Sequence, residues 1–450
     1  MLTDIQTRKM PGGEFLEAAL AAERWISSRS TPSRHGGLIW PDAATPASSA
    51  RCLDLYSGSA GIVLYLLELY YATSDESVFA YARGGGEELL AEFPSVRESG
   101  LYTGLAGIAF ALWQLGQAGA GARFLLGARA CVELLLSRLE EGGGDSARHA
   151  PTGSCDQPDS MQDVFSGSAG VGLFLLWWAR ETGAERAHAG AQAIADRLLG
   201  TAHCSSRGLD WPAAGGEYGA LNFAHGSAGI VFFLAKLANE VPRAATLAGA
   251  LEGARCLVSH AKTGEGVFLL PHTQRPLSRE GADTPGPSIY PMNWCHGPAG
   301  TGLTWYQLYV ATYDNAWLQA FEGCSRAFFP ASRRLAGLSS EPYSAYSVCW
   351  CHGLAGNATF LLTAHRVTSD ESFRQLGDTM IRECLAHALP DSGGLMWRQL
   401  GLYKIAGSAR MVALPRTGFG VGAAGIGLCL LRFHGYESNT PPRIVLPDAV

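Results

Sequence analysis

A four-residue phrase, Gly-x-Ala-Gly, occurs seven times in this chain, beginning at Gly58, Gly104, Gly167, Gly226, Gly297, Gly353 and Gly422. Successive copies start 46, 63, 59, 71, 56 and 69 residues apart. That is the size of one helix pair joined by loops of varying length. Each phrase opens an apolar run of helical length, as in Ile62–Tyr71, Val171–Ala179 and Ile230–Ala238. More polar segments lie between the phrases. In 121–141, Leu125, Ala128, Val132, Leu135 and Leu139 fall three and four residues apart and make a single apolar stripe. Similar stripes run through 15–29, 77–93, 187–200, 244–261, 316–328 and 371–387, so one striped helix precedes each phrase.

Helices that are apolar nearly all round belong inside, and striped helices belong outside. Stacked pairs of this kind either extend as a solenoid or curve into a ring. Neither end of the repeat carries a polar cap, so the expected fold is a closed, double-layered all-α (α/α) toroid of seven inner and seven outer helices. It fills one domain, 1–450, with a core of about 15–432 and short tails. The glycines are expected to let inner backbones approach closely and to supply unusual dihedrals at the turns. Inner-helix amino-termini then surround one mouth of the ring. The segments 142–160, 201–220, 262–292 and 388–416 are expected there as long structureless loops suited to binding.

Composition narrows the classes of function. With 47% hydrophobic and 16% charged residues, the chain can build a large core. A net charge of −6 without a dense Lys/Arg patch argues against a nucleic-acid partner. No run of about 20 apolar residues suggests membrane insertion. The amino-terminal stretch lacks the apolar centre of a secretion signal. Eleven cysteines are then expected as free thiols in a reducing compartment, which points to the cytoplasm.

Function should lie where the repeats differ. Immediately before the first glycine stand Ser57, Thr103, Ser166, His225, His296, His352 and Val421. One residue earlier stand Tyr56, Tyr102, Phe165, Ala224, Cys295, Cys351 and Gly420. Equivalent positions of neighbouring repeats project to neighbouring places on the mouth. Two thiols and up to three imidazoles are therefore expected together, a soft N/S set that favours zinc. Cys349, two residues before Cys351, lies a helical step away from that point and is the weaker ligand candidate.

At Trp294-Cys295-His296-Gly297 and Cys351-His352-Gly353 the sequence resembles the lanthionine synthetase C-like family, from the first helix to about residue 432. The resemblance implies an α/α toroid with one Zn2+ held by Cys295, Cys351 and His352. It implies His225 as the acid/base histidine and Asp163 as its carboxylate partner. The implied activity adds a peptide cysteine thiolate to a dehydroalanine or dehydrobutyrine of the same peptide, giving lanthionine or methyllanthionine rings. The implied partners are a dehydrated precursor peptide, with a separate dehydratase and exporter. Physical chemistry supports the same roles. A zinc-bound thiol is deprotonated at neutral pH, and a histidine of near-neutral pKa can protonate the enolate that follows attack. His296 could be a supporting partner, a proton donor or an enolate stabiliser. Asp54 has the same offset as Asp163, so either could serve to start its helix.

Three other readings share this chemistry in part. A LanC-like protein could add glutathione or another thiol to dehydroamino acids. A zinc-containing toroid could serve as a non-catalytic peptide scaffold. A glycosidase would need paired acids on the axis, for which Asp54 and Asp163 are the candidates.

Overall fold

The structure, a computed structural model, describes residues 13–41, 53–142, 161–211, 220–274, 288–335, 347–405 and 408–450. In chain order the helices are α1 (Glu14–Ser28), α2 (Ser59–Thr73), α3 (Glu76–Glu92), α4 (Leu105–Leu115), α5 (Ala122–Gly142), α6 (Ser168–Thr182), α7 (Glu185–Thr201) and α8 (Ser227–Glu240). They continue with α9 (Ala244–His260), α10 (Pro298–Thr312), α11 (Asn315–Arg326), the short α12 (Pro330–Leu335), α13 (Leu354–Thr368), α14 (Glu371–Ala386) and α15 (Ala423–Glu437).

Each Gly-x-Ala-Gly phrase starts an inner helix, and the two helix classes bury themselves as their sequences require. The inner α4 buries every residue except Gln114. The outer α14 buries only Phe373, Gly377, Ile381 and Cys384, one stripe at helical spacing. Inner helices pack side by side around the circle α2–α4–α6–α8–α10–α13–α15 and back to α2. Each outer helix packs chiefly on the inner helix that precedes it in sequence, and α1 closes the set by packing on α15. The turns between them are tight. Ser74, Tyr313 and Ser369 adopt left-handed conformations, and the next residues, Asp75, Asp314 and Asp370, cap the outer helices.

Backbone hydrogen bonds prove the closure. The residue two before each first glycine donates its N–H to the equivalent carbonyl of the next repeat. The chain runs Tyr56 to Tyr102 (3.0 Å), Phe165 (3.0 Å), Ala224 (3.1 Å), Cys295 (3.0 Å), Cys351 (3.3 Å), Gly420 (2.9 Å) and back to Tyr56 (2.6 Å). The toroid is therefore stitched into a complete circle at the mouth, and the seven ring positions are held in one register.

The glycines act through space and not through dihedral freedom, which corrects one expectation. The first glycine of every phrase is extended, with φ between −104° and −150°. Both glycines are crowded by backbone, the second the more tightly. A Cβ there would stand 2.1 Å from the Leu55 carbonyl oxygen at Gly61, 2.1 Å from that of Trp294 at Gly300, and 1.8 Å from that of Trp350 at Gly356. Each inner helix starts with its backbone pressed onto the strand of chain leading into it.

Two further expectations change. The loop segments are not structureless. Short antiparallel hairpins occupy Thr31–Pro32 with Leu38–Ile39 (β1, β2), His203–Ser205 with Gly208–Asp210 (β3, β4), Lys262–Gly264 with Val267–Leu269 (β5, β6) and Leu389–Asp391 with Gly394–Met396 (β7, β8). A longer hairpin pairs Arg398–Ile405 (β9) with Ser408–Pro415 (β10). Strands of two or three residues are too short for a period to show. Most of the 142–160 segment lies outside the described residues. The carboxy-terminal tail, in turn, is part of the core. Glu68 accepts from the backbone N–H groups of Arg443 (3.1 Å) and Ile444 (2.6 Å), and buried Asp448 accepts from the Tyr102 hydroxyl at 2.8 Å. The tail thus crosses the end of the axis remote from the mouth.

Candidate metal centre

The approach to each inner helix is built by a residue four before the first glycine. Asp54 Oδ1 accepts from the Ser57 N–H (2.6 Å), and Asn293 Oδ1 from the His296 N–H (2.8 Å). Asp163 Oδ1 accepts from both Ser166 (2.7 Å) and Gly167 (2.8 Å). These are Asx turns, which satisfy donors ahead of the helix. In the sixth repeat Cys349 takes this position, and its sulfur hydrogen-bonds the Ser347 hydroxyl at 3.3 Å.

The turns deliver the next residues to the mouth. One ligand atom each from Cys295, Cys351 and His352 lies within 4.8 Å of the others. Both cysteines are buried and His352 is half-buried. Two sulfurs and one nitrogen at this separation fit a tetrahedral N/S site with a fourth position for an outside ligand. The protons on these groups respond to one another. Burial pushes the Cys351 thiol well up, and the neighbouring Cys295 adds to the rise. Burial works against charge on His352, yet the neighbouring sulfurs of Cys349 and Cys351 outweigh it and hold the imidazole up to about 11. Burial also opposes a Cys349 thiolate, but His352 pulls that thiol below its ordinary value. Such a cluster of proton-sharing sulfur and nitrogen is what a dication displaces protons from when it binds.

Asp163 and His225 form a hydrogen-bonded pair at the same mouth. Asp163 Oδ2 lies 3.0 Å from His225 Nδ1, while its other oxygen keeps the Asx turn. The carboxylate is buried, and the imidazole is 36% exposed to the mouth. A buried carboxylate on Nδ1 fixes the imidazole orientation and leaves Nε2 toward open space. Asp163 thus makes both contacts at once, to its own turn and to His225. His296 stands between His225 and His272, with ring centroids 5.4 and 4.5 Å away. Burial, then His272, His225 and His352, push its pKa down to about 3, so it is neutral. Its buried Nδ1 has no partner among the described residues.

Sequence reasoning missed His272, which sits in 262–292 without a motif or period to mark it. It also gave no role to the aromatic lining. Tyr56 packs on Phe165 (4.8 Å), and Phe165 on His225 (4.7 Å). Tyr102, Trp294 and Trp350 stack beneath them. Burial, followed by Cys351, Cys349 and Cys295, holds the Tyr56 phenol well above its usual pKa. A cavity of about 230 Å³ lies behind Trp294 and Trp350 against the carboxy-terminal tail; none of the four residues Cys295, Cys351, His352 and His225 lines it. That cavity is separate from the thiol–imidazole cluster.

Fold and site together define an α/α toroid with a thiol–imidazole cluster at the mouth of its axis. The lanthionine synthetase C-like protein family matches residues 49–446, and the chain belongs to that family. Nisin cyclase has a similar structure, with TM-score 0.62 and 18% identity over 85% of this chain and 88% of its own. The Lin0763 protein from Listeria innocua matches with TM-score 0.50 and 11% identity over 96% of this chain and 99% of its own. At these identities the two structures share the fold. No curated protein shows significant sequence similarity to the chain. Among the described residues, no helix is long and apolar enough to cross a membrane.

Proposed function

We propose that this protein is a zinc-dependent lanthipeptide cyclase of the cytoplasm. It joins a cysteine thiol to a dehydroalanine or dehydrobutyrine of the same dehydrated precursor peptide, which a separate dehydratase prepares and an exporter removes. The observation that carries the reading is the meeting of Cys295, Cys351 and His352 within 4.8 Å beside the Asp163–His225 pair. Zinc held by those three residues would lower the pKa of a peptide thiol in the fourth position, so that it is present as thiolate at neutral pH.

The chain's own residues supply the rest. The aromatic lining of Tyr56, Phe165 and Tyr102 excludes water from the floor of the mouth. When the sulfur adds to the β-carbon, the electron pair moves through the α-carbon to the carbonyl as an enolate. His225 in its protonated form then delivers a proton from Nε2 to the α-carbon. Asp163 Oδ2 accepts from Nδ1–H throughout, keeping the ring aimed. Formation of the carbon–sulfur bond and reprotonation balance without gain or loss of mass.

Incubation with a dehydrated, cysteine-containing precursor tests this directly. Alkylatable thiols should disappear while the peptide mass stays constant. A mass gain equal to an added thiol would assign intermolecular addition instead, and unchanged thiols with the cognate precursor would refute cyclisation.

A further inference from the structure

The cavity of about 230 Å³ behind the mouth has an apolar interior and one unengaged charge at its rim. Trp294 and Trp350, with ring centroids 4.4 Å apart, separate it from the mouth, and Phe360, Phe419 and Leu428 continue the wall. Val445 and Leu446 of the carboxy-terminal tail close the other side. That tail is pinned. Arg432 and Lys236 donate to the carbonyls of Ile444 and Ala449, and Glu68 accepts from the N–H groups of Arg443 and Ile444. The tail is thus held as a wall across the gap. An apolar cavity of about 150 Å³ stays dry and takes a benzene ring, so this one has room for a ring and a short chain.

The polar groups that line it are engaged, with one exception. The hydroxyls of Thr359 and Thr363 donate to the carbonyls of Ala355 (3.0 Å) and Thr359 (3.2 Å) in their own helix. Asp448 accepts from the Tyr102 hydroxyl at 2.8 Å. Arg432 donates to Ile444, with Glu68 3.7 Å away. Arg366, exposed on the last turn of α13, has no hydrogen bond or ion pair among the described residues.

We propose that this cavity is a binding site for a small aromatic carboxylate. The ring lies against Trp294, Trp350 and Phe360, and the carboxylate pairs with the Arg366 guanidinium at the rim. Such a ligand matches an apolar interior with a single unengaged cation. A cationic head would meet Arg366 with like charge, and further polar groups would be left unpaired among tryptophan and leucine side chains. The site goes beyond the metal reading and does not depend on it.

Calorimetric titration of the full chain with 3-phenylpropanoate, its neutral amide and 3-phenylpropylamine tests the assignment. The acid should bind saturably at one site, about fivefold more tightly than the amide, because an exposed ion pair contributes modestly. The amine should bind most weakly. Arg366→Gln should keep the amide affinity and lose the preference for the acid. Thr363→Phe, which fills the cavity, should bind neither. Arg366 is exposed, so Arg366→Gln remains the deciding variant should Thr363→Phe fold poorly. No saturable binding of the acid to the folded wild type, or wild-type binding by Thr363→Phe, overturns the site. Equal affinities for acid and amide, or a preference that survives in Arg366→Gln, overturn the pairing with Arg366. Zinc plays no part in this readout, so the cyclase reading stands or falls separately.

Discussion

Two arcs of the same ring face each other across the mouth. The first three repeats contribute Tyr56, Tyr102 and Phe165; the fifth and sixth contribute Cys295 and Cys351 at the same positions. Their backbones do the same work, donating one N–H and accepting one N–H around the circle. A Cβ on their second glycines would meet the equivalent preceding carbonyl oxygen, at 2.2 Å for Gly107 and 1.8 Å for Gly356. Only the side chains differ, giving stacked aromatics in one arc and a thiol–imidazole cluster in the other. Architecture here is carried by backbone and glycine, and chemistry by one side chain per repeat. The two should therefore be separable by mutation.

The sharpest way to break this comparison is to change one side chain in each arc. Cys351→Ser should lower zinc from one per chain to none and reduce cyclisation to background, with thermal stability near wild type, because the ring uses only its N–H and C=O. Tyr102→Phe should do the reverse. Zinc content stays at one, while loss of the hydroxyl over buried Asp448 costs about 1–3 kcal/mol in denaturant titration. Unfolding of Cys351→Ser would instead make the cluster part of the architecture. His225→Ala should lower the turnover rate about 10²–10⁴-fold at constant zinc content. Asp163→Asn should cost less, since an amide oxygen can keep the Asx turn while only the carboxylate charge beside His225 is lost.

The equivalence of the scaffolds makes the next test. Gly107→Ala and Gly356→Ala should each destabilise the fold by about 1–3 kcal/mol, because the added methyl overlaps a carbonyl oxygen. A large effect in one arc and none in the other would show that the repeats are not mechanically alike. The smallest effect separates buried thiols from those at the mouth. Burial pushes Cys131, Cys324 and Cys429 up to about 12. The folded state then keeps protons that the unfolded state releases near pH 9, so stability is full below pH 9 and falls as pH rises toward 12. At pH 10 each thiol should cost about 1.4 kcal/mol, read as a lower denaturation midpoint.

Much of this was legible before any coordinates. The sevenfold phrase, with alternating all-apolar and striped helices, specifies the toroid, because each helix class has one layer in which it can bury its surface. The Cys-His-Gly phrases at matching offsets mark the cluster, since internal repetition turns a sequence offset into a spatial one. The same symmetry could not separate Asp54 from Asp163, which form the same turn; only the neighbour at His225 distinguishes them. His272 was beyond reach because it enters the mouth from a loop outside the repeat. The buried tail carrying Asp448 was hidden for a similar reason, as its partners Glu68 and Tyr102 come from the first two repeats.

The central claim concerns one metal seated on two sulfurs and one nitrogen. X-ray absorption at the zinc edge of the purified chain tests it most directly. The account predicts one zinc per chain with two sulfurs at about 2.3 Å and a nitrogen at about 2.0 Å, rising to three sulfurs when the dehydrated precursor's thiol is added. Three sulfurs before any peptide is present, with Cys349 recruited and no place left for substrate, would contradict it.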